Sequence, residues 1–260
     1  MSVDSHTLEL KKFRLTLHYY GLAEEKKTPV IFIHGAGGNG TLWHNQLLGL
    51  ARVCTPLAVD LPGHGSSEGE AADRISTYRE QIKDFIESAG LSKAVLCGHS
   101  MGGAIAMDCA LNYPENLAGL ILVSTGARLK VAPKILETYR EGKQNLSLAK
   151  HLYGPDAREE LVREGEKMLA ETPPEVSYSD FTACDQFDAM EEISNIDLPT
   201  LVLCGEQDAM TPPKYSRSLA EKIPGARLEL FPTGGHMLMQ EQADQVNKAI
   251  SRFLQDKSLS

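Results

Sequence analysis

Gly98-His99-Ser100-Met101-Gly102 is a G-x-S-x-G pattern lying between an apolar run, residues 94–97, and a helix-like stretch, residues 101–112. A strand that turns sharply into a helix leaves little room at the turn. Glycine on both sides removes the Cβ atoms that would collide there. The residue at the apex, Ser100, is then held with its hydroxyl exposed, and a serine exposed beside a base is a nucleophile. Five residues with three fixed positions recur by chance. The strand before and the helix after make this instance specific.

The same rhythm extends outward from the turn. Residues 30–33, 57–59, 94–97, 120–123, 201–204 and 228–231 form short, almost wholly apolar runs. Most read as strands buried on both faces, the mark of a parallel sheet covered by helices. Residues 8–20 contain an alternating stretch (Leu15, Leu17, Tyr19), which predicts an antiparallel hairpin. Helical periodicity appears at 76–88, with Tyr78, Ile82, Phe85 and Ile86. It appears again at 101–112, which stops before Pro114, at 214–223 after Pro212-Pro213, and at 238–254 with Val246, Ile250 and Phe253. Alternating strands and helices imply an α/β fold with a doubly wound, mostly parallel sheet.

Residues 126–195 break this rhythm. They contain no strand-like run, only amphipathic helical pieces punctuated by Gly154-Pro155 and Pro173-Pro174. The segment has 14 acidic and 9 basic residues, over half of the chain's net charge of −9, which reads as solvated helix faces. We expect a helical cap at 126–195 inserted into a core domain formed by 1–125 and 196–260.

Composition narrows the function. A chain of 260 residues, 42% hydrophobic and 23% charged, is an ordinary globular protein able to bury a sizeable core. Its acidic balance, with no basic stripe, argues against nucleic acid as a partner. No run reaches the ~18 apolar residues of a membrane span. The first residues lack the charged and apolar regions of a signal peptide. Cys54, Cys97, Cys109, Cys184 and Cys204 form no C-x-x-C pair, so reduced thiols and a cytoplasmic location are expected, with no metal and no cofactor.

A serine nucleophile needs a base, and the base needs an orienting group. His236, in the loop sequence Pro232-Thr233-Gly234-Gly235-His236 after a strand, is the best placed of eight histidines. His6, His18, His44 and His151 read as surface or packing residues. Asp208 follows the run 201–204 at the carboxyl end of a strand, where α/β sites are built; Glu206 could take its place. An aspartate before Thr211-Pro212 could also organise a helix start. His64 and His99 read as structural, and Asp60 as a cap for the Pro62-Gly63-His64-Gly65 turn.

With these residues assembled, the chain resembles the α/β-hydrolase fold family over nearly its whole length. The resemblance rests on His34-Gly35-Ala36-Gly37-Gly38, on Asp60-Leu61-Pro62-Gly63-His64-Gly65-Ser66, and on Gly98-His99-Ser100-Met101-Gly102-Gly103. It ends with Gly205-Glu206-Gln207-Asp208 and Gly234-Gly235-His236. The order Ser100, Asp208, His236 is that of the family's catalytic triad. The resemblance also implies an oxyanion hole from the backbone N–H groups of Ala36 and Met101. Losing one such donor typically costs about 10²–10³ in rate. A phosphate-binding glycine loop does not fit residues 34–38, because neither G-x-G-x-x-G nor a following Lys-Ser/Thr is present.

The family hosts many chemistries. Its dehalogenases and epoxide hydrolases carry aspartate where this chain has Ser100. Its prolyl iminopeptidase-like members differ in the residues flanking the serine. Its C–C hydrolases favour asparagine where His99 stands. The reading is therefore a serine carboxylesterase acting on a small-molecule acyl ester, with Gly35, Trp43, Met237 and Leu238 expected at the substrate pocket. A C–C hydrolase of diketo acids and a non-catalytic ligand receptor of the same fold are the alternatives.

Overall fold

Strands apolar at every position demand cover on both faces, because successive side chains point to opposite sides. The computed structural model describes residues 3–22 and 27–259. Its strands are β1 (Asp4–Leu10), β2 (Leu15–Gly21), β3 (Pro29–Ile33), β4 (Thr55–Val59), β5 (Ala94–His99), β6 (Leu117–Val123), β7 (Thr200–Gly205) and β8 (Arg227–Phe231). The helices before β6 are α1 (His44–Leu50), α2 (Ile75–Ser88) and α3 (Met101–Asn112). Between β6 and β7 lie α4 (Pro133–Arg140), α5 (Ala149–Leu152), α6 (Glu159–Glu171) and α7 (Pro174–Gln186). The remainder are α8 (Pro213–Lys222), α9 (Leu238–Glu241) and α10 (Ala243–Asp256).

The eight strands form one sheet in the order β1-β2-β4-β3-β5-β6-β7-β8. β2 is antiparallel to β1 and β4, and every other neighbouring pair is parallel. This is the expected doubly wound α/β architecture. Ile31, Ile33, Leu96 and Leu122 face one side, where α2, α3 and α8 cover them. Val30, Phe32, Val95 and Ile121 face the other, under α1 and α10. Each of these eight side chains is fully buried, and full burial of such a side chain contributes about 1.5–3 kcal/mol. Helix α2 buries Tyr78, Ile82, Phe85 and Ile86, a single stripe at helical spacing. Helix α3 is buried almost all round, as its largely apolar sequence requires, with Asp108 and Asn112 at its less buried end.

The topology also makes the crevice. The chain places β4 on one side of β3 and then β5 on the other. At such a switch point the connections diverge and leave a cleft beyond the carboxyl ends of the two strands. Residues 34–38 follow β3 there, and Ser100 follows β5.

The four helices between β6 and β7 form an insertion whose sole β feature, among the described residues, is an isolated bridge between Arg128 and Asp188. Residues 238–254, read from periodicity as one helix, are instead broken at Gln242 (φ −125°, ψ 39°) into α9 and α10. Glu241, the last residue of α9, accepts the Gly154 and Gly235 N–H groups at 2.9 and 2.8 Å, and these tertiary bonds accompany the break. Among the described residues, no helix is long and apolar enough to cross a membrane.

Helix α3 packs so closely on β3 that a Cβ at Gly102 would overlap the carbonyl oxygens of Ile33 and His34. Gly102→Ala is expected to destabilise the protein by roughly 1–3 kcal/mol, read as a lower urea midpoint at unchanged slope.

Candidate active site

Ser100 sits between β5 and α3 with φ 52° and ψ −115°. For a residue with a Cβ this backbone costs of order 1–3 kcal/mol and persists only where its surroundings impose it. Here the Ser100 N–H donates to the Val123 carbonyl at 3.0 Å. The Ser100 carbonyl accepts the Thr125 hydroxyl at 2.7 Å. A Cβ at Gly98 would overlap the Gly102 carbonyl, so the turn closes only with glycine there.

His236 lies on the loop between β8 and α9. Its Nδ1 is 3.1 and 3.0 Å from the two carboxylate oxygens of Asp208, so Nδ1 carries the proton that it donates. Asp208 Oδ1 also accepts the Met210 and Thr211 N–H groups, each at 2.9 Å, and Oδ2 accepts the Thr211 hydroxyl at 2.8 Å. Asp208 thus organises the turn before α8 as well as meeting the imidazole. Burial works to raise its pKa, but the His236 ring and the Thr211 donors outweigh burial and hold the carboxyl at about 2. Glu206 is half exposed and lies 3.7 Å from Arg217. Of the two acidic candidates, Asp208 is the one that meets His236.

Ser100 and His236 line one cavity, together with Gly35, Ala36, His99 and Met237. The insertion contributes Leu148, Leu152, Met168, Leu169, Ser177 and Phe181. The space open to water centres is about 40 Å³, enough for a few waters. A larger cavity of about 630 Å³ shares Gly38, Leu42 and Met168 with it and is lined by Asn39, Thr41 and the α6 side chains Glu164, Lys167 and Glu171. Two expected pocket residues, Trp43 and Leu238, are not in the lining. Trp43 is fully buried against Phe32, with ring centroids 5.0 Å apart. Leu238 is fully buried in the same core cluster as Val246 and Ile250. Both are apolar enough to be drawn under the sheet rather than left at its rim.

The backbone N–H groups of Ala36 and Met101 lie at the same end of the sheet. Met101 opens α3, so its N–H has no acceptor within the helix. Among the described residues, neither N–H donates to a backbone carbonyl outside regular structure.

Several other polar residues support the site. His99 Nε2 lies 2.9 Å from the His236 carbonyl and donates to it, while Nδ1 is buried without a partner. Burial, then the neighbouring His236, lower its pKa to about 3. His34 Nδ1 donates to the Gly35 carbonyl at 2.8 Å and Nε2 accepts the Leu61 N–H at 3.1 Å. Burial, then His64, bring its pKa to about 3 as well. Both rings are therefore neutral. Asp60 accepts the Gly40 and Ser66 N–H groups at 2.7 and 2.9 Å. His64 is buried against Asp180 at 2.8 Å.

His6 stacks on Tyr19, His18 meets the Ser5 hydroxyl, and His44 and His151 are exposed on α1 and α5. The five cysteines are buried and unpaired. Among the described residues, no group of three or more His, Cys, Asp or Glu side chains could hold a metal ion.

Sequence reasoning reads Asp208 as a possible cap before Thr211 but does not anticipate the Thr211 hydroxyl on its carboxylate, and it misses Glu241. The three-residue spacing from Asp208 to Thr211 is a readable turn signal. Glu241 clasps the 234–236 loop to Gly154, 87 residues away along the chain, and no local pattern marks it.

A family model for the alpha/beta hydrolase fold matches residues 28–243, and the chain belongs to that family. A Caulobacter sp. (strain K31) protein, provisionally named carbamate hydrolase RutD, is 28% identical over 90% of this chain and 92% of its own. The 2-hydroxy-6-oxo-6-phenylhexa-2,4-dienoate hydrolase of Burkholderia cepacia is 28% identical over 94% of this chain and 92% of its own. The solved structure of a thermophilic esterase superposes with a TM-score of 0.88 at 30% identity, covering the whole of both chains. The family and the names of these relatives support a hydrolase.

The depressed pKa of Asp208 makes a prediction about acid stability. A carboxyl held at about 2 in the fold and near 3.9 when unfolded stabilises the protein fully above pH ~4. That contribution, on the order of 2 kcal/mol, is lost as pH falls towards 2. Urea titrations between pH 5 and pH 2 should show wild-type stability falling by about that much more than the stability of Asp208→Asn.

Proposed function

We propose that this protein is a serine carboxylesterase that works through an acyl-enzyme, with Ser100 as nucleophile, His236 as base and Asp208 as orienting carboxylate. The observation that carries the reading is the placing of Ser100, on a strained turn, in one cavity with an imidazole whose Nδ1 is held by a buried carboxylate. With its proton on Nδ1, His236 keeps Nε2 as the basic nitrogen. It takes the Ser100 proton as Oγ attacks the ester carbonyl. Charge then develops on the carbonyl oxygen, towards which the Ala36 and Met101 N–H groups are directed in this reading. Collapse breaks the carbonyl–alkoxy bond, and the imidazolium gives its proton to the departing alcohol. Water, activated by the same imidazole, adds to the acyl carbon and releases the acid and Ser100.

The helical insertion 126–195 serves as a cap in this reading, and the core domain comprises 1–125 and 196–260. The narrow apolar inner space favours a short acyl ester, with the larger polar-lined cavity as its approach. The five unpaired, buried thiols fit a reducing, cytoplasmic setting.

p-Nitrophenyl acetate and butyrate should be hydrolysed faster than the decanoate. Ser100→Ala should lower kcat/KM by at least ~10⁴-fold. A fluorophosphonate should label Ser100 alone, located by peptide mass spectrometry. Retained turnover in the mutant, or label elsewhere, would remove Ser100 from the mechanism. Faster cleavage of a vinylogous diketo acid than of any ester would replace this reading with C–C hydrolysis. Tight ligand binding without turnover would make the protein a receptor.

Asp208→Asn should reduce kcat by about 10⁴-fold, because the amide favours the unproductive imidazole tautomer. Stopped-flow acylation rates would measure this. A wild-type rate would exclude Asp208 from orienting His236.

A further inference from the structure

The loop after β3 is held from above as well as from below. Asp180, on α7 of the insertion, is fully buried. Its Oδ2 accepts the Gly37 N–H at 2.7 Å and faces His64 Nε2 at 2.8 Å, and its Oδ1 accepts the Tyr78 hydroxyl at 2.6 Å. The Gly37 carbonyl, in turn, lies 2.8 Å from the hydroxyl of Thr172, in the segment leading into α7, whose single proton is shared between Gly37 and the Met168 carbonyl at 2.9 Å. Both polar ends of this residue are therefore gripped by the insertion, 135 and 143 residues away in sequence.

The grip falls at a sensitive place. Gly37 has φ +66°, a left-handed conformation that glycine tolerates. The next residue closes the loop, with the Gly38 N–H donating to the Gly35 carbonyl at 3.1 Å. The Ala36 N–H shares its peptide plane with the Gly35 carbonyl, which accepts from the Gly38 N–H and from His34 Nδ1, so its direction is set by the closed turn that residue 37 completes.

The chemistry explains why a carboxylate can serve as the grip. A buried carboxylate is costly unless its oxygens are satisfied, and Asp180 faces three donors. His64 has an acceptor at each ring nitrogen, the Pro62 carbonyl at 3.1 Å from Nδ1 and Asp180 at 2.8 Å from Nε2. Only the imidazolium donates from both. His64 therefore supplies a cation beside the carboxylate. An ionised acceptor makes a stronger bond to the Gly37 N–H than a neutral one would.

We propose that Asp180 is a positioning residue for the reaction, fixing the Gly37 peptide and thereby the Ala36 N–H, so that the oxyanion site is complete only when the helical insertion is seated on the sheet. This rests on the proposed function. Movement of α7 away from the sheet withdraws the acceptor from Gly37, and reseating restores it.

The test uses the full-length protein with p-nitrophenyl butyrate as substrate and phenylboronic acid as a probe. Trigonal phenylboronic acid takes Ser100 Oγ as a fourth ligand on boron while the hydroxyl proton passes to His236, giving a tetrahedral boronate anion, and one of its oxygens takes the oxyanion position. For Asp180→Asn we expect kcat to fall about 10²-fold with KM changed less than about 3-fold. Phenylboronic acid affinity should fall in step with kcat/KM, while butyrate inhibits as it does the wild type. Thr172→Val, which leaves the buried ion pair intact, should show the same pattern at about 10-fold. It decides the question if Asp180→Asn does not fold. Unchanged kcat and boronate affinity in the folded variants overturn the positioning role and leave the esterase reading standing, as does a loss carried equally by KM. A wild-type protein that neither hydrolyses the ester nor binds the boronate overturns the esterase reading, and the positioning role with it.

Discussion

Steric exclusion at the turn between β5 and α3 governs the rest of the molecule. Two glycines allow backbone to pass within contact distance of backbone, at Gly98 against Gly102 and at Gly102 against Ile33 and His34. That contact seats α3 on the sheet and forces Ser100 into a left-handed conformation that its neighbours must sustain. The strain is affordable because β5 and α3 are buried and tightly bonded. A serine on a loose loop would relax, and its side chain would lose its fixed place in the cavity that His236 also lines.

Burial then sorts the polar groups. His34 and His99 are neutral because each loses more by desolvation than its neighbours return. Asp208 stays ionised at similar depth because the His236 ring and the Thr211 donors outweigh the cost. For His64, burial works to lower the pKa, but Asp180 faces it and the balance goes the other way. Four imidazoles at one end of the sheet thus divide into distinct roles through their hydrogen-bond partners. His99 Nε2 is taken up by the His236 carbonyl, and His34 is taken up between Gly35 and Leu61. Neither ring has both nitrogens free to exchange protons with a substrate.

Much of this could be read along the chain, and the failures are instructive. The strands were legible because short apolar runs rich in Val, Ile and Leu, set between turn residues, suit strands covered on both faces, and Ile31 and Phe32 do turn to opposite cores. Asp208, with Glu206 as its rival, and His236 stood out as candidates from their places after strands. Trp43 was misplaced because an apolar residue near a glycine loop suits either a pocket or the core, and Phe32 claimed it. The break at Gln242 was invisible because periodicity records which residues are apolar, and the helix there ends beside bonds made by Glu241 to distant backbone.

Local sequence carries the class of the fold, the tight turn at Ser100 and the candidate residues at the ends of the later strands. These are local matters of backbone sterics and hydrophobic period, settled within a few residues. That Asp208 rather than Glu206 meets the imidazole, and which apolar side chains line the cavity, is set by the packed fold. It also decided that Asp180 and Thr172 reach Gly37. Each of these depends on contacts between segments tens to more than a hundred residues apart, where the geometry of the packed sheet and insertion, and not chain spacing, sets the distance.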